Sequence, residues 1–197
     1  MTHAGSLADL SAAPAAQQRF LDAALDLFGE HGFEGTSLQL IADRLEVTKA
    51  ALYYHFRTKD DLLAALVGPA FTDLERFLDE VESIGRETTR RKRALEGYVD
   101  YLIRHRRIAT WLAGDVAVLA NESVWGPAQT LGLRLNALLT FHDDSDPVAL
   151  VWSAAITQSL TGALTATADM PDEWVRSQLE EIGELLMRGY RAARRRD

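Results

Sequence analysis

The sequence predicts an all-α protein with a small N-terminal helical domain and a larger helical remainder. Three observations carry this. Apolar residues recur at i, i+3, i+4 and i+7 along most of the 197 residues. Capping and breaking residues stand at the ends of those stretches. No segment shows the sustained apolar–polar alternation of a strand. The expected organisation is an arm at 1–14, a domain at 15–65 and a second domain at 66–197.

A first helix is expected from about Pro14 to His31, with Leu21, Ala24, Leu25 and Phe28 on its apolar face and Gly32 as its stop. A second begins after Thr36, read as its N-cap, and buries Leu38, Ile41, Ala42 and Leu45. Thr48 caps a third, about Lys49 to Phe56, with Leu52 and Phe56 inward. Thr58 caps a fourth, with Asp60 and Asp61 complementing the helix dipole and an apolar stripe reaching about Ser83. Gly68-Pro69 predicts a kink or break, because proline removes a backbone donor and clashes with the preceding turn. Further helices are expected around Leu95–Ile103, Ile108–Ala120 and Glu122–Phe141, then after a polar loop at His142–Asp146 from Pro147 to Ala168, and from Pro171 to the arginine-rich end. That makes nine, with no internal repeat.

Composition narrows the functional classes. Hydrophobic residues make up 47%, enough for a sizeable core. With no cysteine, disulfides and thiolate metal sites are excluded. The first residues lack the charged and apolar regions of a signal peptide. The most apolar window, Val148 to Ala168, carries seven Ser, Thr or Gln residues and reads as too polar to span a membrane, so a soluble cytoplasmic protein is expected. The net charge of −8 offers no basic blanket for phosphates. From Ala15 to Leu66 the balance is 5 − 8 = −3, so any nucleic-acid contact must be local.

The stretch Thr36–Leu63 nonetheless has the pattern of a helix-turn-helix, in which a bracing helix presents the start of a second helix to the major groove. Thr48, Lys49, Ala50 and Ala51 are short or polar: the alanines permit close approach and thymine-methyl contact, and Lys49 reaches guanine or phosphate. Tyr53, Tyr54 and His55 can donate to phosphate oxygens. Thr36 and Ser37 stand where a helix N-terminus can hold a phosphate, with Gln39 beside them. Lys59 is a candidate clamp on a neighbouring phosphate.

At these residues the chain resembles the TetR family of transcriptional regulators. The matching pattern runs through Arg19, Ala23-Ala24, Leu27-Phe28, Gly32-Phe33, Thr36-Ser37, Ile41-Ala42, Val47, Leu52-Tyr53, His55-Phe56, Lys59 and Leu62, about the first third of the chain. The resemblance implies a homodimer on a palindromic operator, usually acting as a repressor, with a C-terminal domain that binds a small ligand and then releases DNA. One departure stands out: the family usually has glycine in the turn before the recognition helix, and here it is Glu46.

In the remaining two thirds, Tyr98, Tyr101, Trp111, Trp125, Phe141 and Trp152, beside Asp115, Asn121, Gln129 and Gln158, are candidates for lining a largely apolar ligand cavity, or for plain core. The last two long helices are candidates for a symmetric four-helix contact, or for intrachain core. Their residues are the small-residue row Ala155, Ser159 and Ala163, together with Leu179, Ile182 and Leu186. His142, Asp143, Asp144 and Asp146 read as a solvated loop rather than a metal site. The basic runs Arg90–Arg93, Arg104–Arg107 and Arg194–Arg196 read as solvated faces or helix ends rather than nucleic-acid contacts. No nucleophile elbow or phosphate-cradling glycine loop is present. No enzyme, cofactor or metal is therefore expected.

The expected function is a DNA-binding regulator, a repressor released when ligand entry shifts the fourth helix and with it the spacing of two recognition helices. The competing reading is a ligand-independent regulator controlled by a protein partner or by abundance.

Overall fold

The computed structural model describes residues 7–140 and 146–195, apart from the side chains at 7–14, 116 and 123. The described residues form ten helices and no strand. They fall into two compact units, divided between Gly68 and Pro69.

The first unit begins with α1 (Leu7–Gly35), whose helical assignment starts inside the stretch expected to be an arm. It buries Phe20, Ala24, Leu27 and Phe28. Gly32, at φ 74° and ψ 165°, interrupts α1 at the residue expected to stop it, in backbone geometry open to glycine almost alone. Helix α2 (Leu38–Arg44) buries Leu38, Ile41 and Ala42. Its N-cap is Ser37, which accepts the Leu40 amide at 3.1 Å, and not Thr36. Thr36 is buried and directs its hydroxyl inward, toward the carbonyls of Leu27 and Gly32. That tertiary bond takes the hydroxyl away from the helix start.

Between α2 and α3 (Lys49–His55) the chain makes a complete Schellman turn. The Glu46 amide donates to Asp43 and the Val47 amide to Ala42, with Glu46 left-handed at φ 55°. The second half of that turn demands positive φ whichever residue occupies it, so the sequence places an ordinary residue where glycine is cheapest. Thr48 then caps α3 by accepting the Ala51 amide. Thr58 and Asp61 form a reciprocal capping box at the start of α4 (Lys59–Glu82), each side chain accepting the other's amide at 3.0 Å.

Of the kink or break expected at Gly68-Pro69, the break does not occur: α4 is assigned as one helix with Pro69 inside it. Proline withdraws only one hydrogen-bond donor. Leu62, Leu63, Leu66 and Val67 before it, and Ala70, Leu74 and Leu78 after it, are all buried and keep the chain helical.

The second unit holds the rest of α4 with α5 (Glu87–Arg104), α6 (Arg106–Gly114), α7 (Val116–Leu119), α8 (Glu122–Thr140), α9 (Pro147–Ala166) and α10 (Asp172–Ala193). The helix expected at 108–120 is two, because Asp115 leaves helical geometry and caps α7 by accepting the Val118 amide. Leucines 95, 102, 131, 135, 138 and 139 pack with Ile156, Leu160, Leu164, Val175 and Leu179 into one core. Two glycines permit close helix approach. A Cβ at Gly97 would run into the Phe77 ring, and one at Gly183 into Leu95. Arg106 ties α6 to the α9–α10 turn through the carbonyls of Met170 and Thr167 and the carboxylate of Asp172.

Helix α9 is long and apolar enough, by length and composition alone, to cross a membrane, a test that the core helix of a soluble protein also passes. It packs one face, Ala149, Ser153, Ile156, Leu160 and Leu164, into the core and exposes the other. The loop at 142–145 and Phe141 lie outside the described residues.

The left-handed residue gives a direct test. Replacing Glu46 with glycine removes an αL penalty of about 1–2 kcal/mol and adds a smaller entropic cost in the unfolded chain. Glu46→Gly should therefore raise the urea midpoint, and a lowered midpoint would show that the side chain itself holds the turn.

Candidate nucleic-acid interface

Helix α3 has seven residues, too few to be stable alone in water. Its position comes from outside it. Leu52 is completely buried, Phe56 at the C-cap is 2% exposed, and the Phe56 ring sits edge-on to Phe20 of α1 at 6.5 Å. With those anchors inward, Thr48, Lys49, Ala50, Ala51, Tyr53 and Tyr54 are exposed. Tyr54 is 85% exposed, a large apolar ring with nothing of its own chain covering it. Across the preceding turn, Ser37 and Gln39 are exposed as well. The outward face is thus short hydroxyls, two alanines, one ammonium and two phenols.

Local contacts organise this face. The Lys49 ammonium lies 5.3 Å from the centre of the Tyr53 ring, one turn along α3, which holds it over the helix by cation–π attraction. Ser37 and Thr48 use their oxygens as acceptors for the Leu40 and Ala51 amides, leaving each hydroxyl proton to donate outward. Gln39 donates to Asp43 at 2.7 Å. His55 is half-buried, its ring 5.3 Å from Phe20 and 5.2 Å from Tyr54, so it supports the face as well as bordering it.

Two expected contacts are placed elsewhere. Thr36 is buried and bonded inward, so its side chain is withdrawn from any phosphate. Lys59 donates to the Phe33 carbonyl at 2.8 Å, with its ammonium 4.2 Å above the Phe33 ring and 3.8 Å from Glu34. It is a tie between α4 and the end of α1, held by a contact 26 residues upstream.

Arg44 is likewise engaged: it grips Glu30 through both guanidinium nitrogens at 2.8 and 3.1 Å and holds that carboxyl below the usual range. Arg19 and Arg57 are exposed and form no ion pair among the described residues. With Lys49 they are the cations this unit leaves available. Sequence reasoning passed over Arg57 as a contact. Its signal was position alone, one residue beyond the anchoring Phe56.

The sensing candidates differ in placement. Tyr98 is buried and hydrogen-bonded to Thr161, and burial pushes its phenol up. It stacks on Tyr101, which in turn meets His105, and His105 bonds Asp73 at 2.9 Å. Trp111 is buried. Asp115 serves as a helix cap, and Trp152 packs on Tyr190 at 6.2 Å. Trp125, Gln129 and Gln158 are exposed. Two cavities are present elsewhere in the second unit: about 290 Å³ between α5 and α10, and about 360 Å³ between α4 and α8. Neither is lined by any of these eight residues.

Of the dimerisation candidates, Leu179 is buried in its own chain's core and is corrected to an intrachain contact. Ile182, Leu186 and Ala163 are partly buried against that core. Ala155 is half-buried and Ser159 exposed. Beside them Leu150, Val151 and Leu185 are exposed at 47%, 66% and 61%. Among the described residues no cluster of metal-ligating side chains occurs.

Residues 20–66 match the family model of bacterial regulatory proteins of the tetR family. The chain is 22% identical over 162 residues to the transcriptional repressor KstR of Mycolicibacterium smegmatis, covering 77% of this chain and 79% of that one. It is 36% identical over 62 residues to IcaR of Staphylococcus aureus, a negative regulator of a biofilm operon. That match covers 32% of this chain and 33% of the relative. Among solved structures, FadR of Bacillus subtilis in complex with stearoyl-CoA superposes with a TM-score of 0.60 at 16% identity, covering 86% of this chain and 97% of that one.

Lys49 and Lys59 separate contact from support. Lys49→Ala should reduce the salt dependence of duplex binding by about one phosphate and leave the melting temperature nearly unchanged. Lys59→Ala should lower stability by about 1–2 kcal/mol through the lost charge-assisted bond and ring contact, with the salt slope unaltered. The reverse pattern, measured by anisotropy at several salt concentrations together with thermal melting, would return Lys59 to the interface.

Proposed function

We propose that this chain, whose residues 20–66 match the family model of bacterial regulatory proteins of the tetR family, is a sequence-specific DNA-binding repressor, without catalytic activity, acting in the cytoplasm as a homodimer on a two-fold symmetric operator. The observation that carries this reading is α3: seven residues, one inward leucine and an outer face that is almost wholly exposed. Such a helix fits the major groove, which admits one α-helix and displays a distinct donor and acceptor pattern for each base pair. Thr48, Ala50 and Ala51 face the base edges, Lys49 reaches guanine or the adjoining phosphate, and Tyr53, Tyr54, Ser37 and Arg57 meet phosphate. That KstR and IcaR are named as a repressor and a negative regulator supports repression as the output.

Homodimerisation is supported by the outer face of α9 and α10. Leu150, Val151, Ala154, Gln158, Ser159 and Gly162 form an exposed, largely apolar or small strip on α9, and Leu185 is exposed on α10. A symmetry-related copy of the same strip covers it without burying a charge, which suits an isologous contact.

Release by a small, largely apolar ligand is the finer part of the proposal. It is supported by the likeness to FadR of Bacillus subtilis, whose bound stearoyl-CoA carries a long apolar acyl chain. A second reading, regulation by abundance or a protein partner, is favoured by one observation: Tyr98, Trp111, Val99 and Leu102 are buried among the chain's own side chains.

Selection of bound duplexes from a random library tests the main reading. The expected result is a two-fold symmetric site whose half-sites lie one helical turn apart, roughly 34–36 Å. Val151→Glu with Leu185→Glu should convert the protein to a monomer in sedimentation while keeping its helicity, and should abolish preference for the symmetric duplex. Absence of any enriched sequence would overturn the proposal.

A further inference from the structure

Two basic runs about a hundred residues apart in sequence come together in the second unit. Helices α5 and α10 pack antiparallel: Arg176 pairs with Asp100, Gly183 lies against Leu95, and beyond that contact the start of α5 meets the end of α10. There the cavity of about 290 Å³ is bordered by Arg91, Lys92, Arg188 and Arg191 and floored by Leu95 and Met187. The same lining carries three acids, Glu96, Glu180 and Glu184, so in a chain of net charge −8 the groove keeps an excess of one cation.

Fold stability explains only half of these cations. Arg188 and Arg191 stand in the last two turns of α10, where cations complement the helix dipole. The cations of α5 stand at the wrong end. Arg86 is its N-cap without a side-chain capping bond, and Arg90 and Arg91 follow within five residues, where the dipole favours acids. An anion in the groove would be attracted to that helix start as well as to the guanidinium groups.

The acids of the groove do not fill this role. Glu96 pairs with Lys92 at 3.4 Å and Glu184 with Arg188 at 3.5 Å, both within one helix face. Glu180 lies a further turn toward the Asp100–Arg176 end. Arg91 holds Glu87 at 2.8 Å and remains 21% exposed. Arg191 is exposed and has no ion pair among the described residues.

We propose that the groove between α5 and α10 binds a small organic anion, a carboxylate or phosphate ester with a short apolar body. Arg91 and Arg191 hold the anionic head by charge-assisted hydrogen bonds, and Leu95 and Met187 cover the apolar body. The cavity stands at the small end of the range for ligand sites, so the occupant is small. The site goes beyond the DNA-binding reading and is tested without DNA.

Titration calorimetry on the full chain at low ionic strength, with hexanoate, hexyl phosphate, hexanol and inorganic phosphate as probes, tests it. One or both of the six-carbon anions should bind saturably, one per chain, and whichever binds more tightly identifies the head group. Hexanol and inorganic phosphate should each bind at least about tenfold more weakly, since each lacks one of the two required contacts. Arg91→Ala with Arg191→Ala should weaken the anion about tenfold or more, and so should Arg191→Glu, whose site is exposed and tolerant. Arg104→Ala should leave affinity unchanged. Failure of both anions to bind, hexanol binding as tightly as hexanoate, or unchanged affinity in both groove variants would overturn the proposal, whatever the DNA selection shows.

Discussion

A helix of seven residues cannot position itself, and the first unit is built around that constraint. Nucleating a helix costs more than two turns of backbone hydrogen bonds return. Helix α3 therefore exists because Leu52 and Phe56 are buried and because Thr48 caps its start. Full burial of a leucine contributes roughly 1.5–3 kcal/mol, comparable to the whole deficit of a short helix. The Schellman turn at Glu46 fixes the angle between α2 and α3, and it does so at a left-handed residue that carries a Cβ. The exposed face from Thr48 to Tyr54 is the consequence of these inward anchors.

The same unit shows how an acidic domain keeps a charged face usable. Of its basic residues, Arg44 is committed to Glu30 and Lys59 to the Phe33 carbonyl and ring. Arg19, Lys49 and Arg57 remain at the surface. A few placed cations favour discrimination over nonspecific affinity, because each phosphate contact adds salt-dependent binding to any sequence.

Much of this architecture was legible in the sequence. Helical periodicity located the inward residues Leu38, Ile41, Ala42, Leu52 and Phe56, and local chemistry located the caps at Thr48 and Thr58. Two of the errors share one cause, a bond between residues distant in sequence. Thr36 looked like a cap until its hydroxyl was seen to reach the Leu27 carbonyl, nine residues back. Lys59 looked like a phosphate clamp because Phe33 is remote from it. Pro69 looked like a break because the pattern cannot weigh one lost hydrogen bond against the buried stripe on either side. Arg91 and Lys92 of α5 come to border one groove with Arg188 and Arg191 of α10 only through the antiparallel packing of the two helices.

The claim that inward packing, and not intrinsic helicity, presents the DNA-facing side chains is tested most directly by Leu52→Ala. Its side chain is fully buried, out of the reach of a duplex. Amide exchange across residues 48–55, with duplex affinity measured on the same sample, is the decisive measurement. The account predicts loss of protection across α3 and a fall in affinity at least as large as that of Lys49→Ala, while the second unit keeps its exchange protection. Unchanged duplex affinity, with α3 still protected, would contradict it.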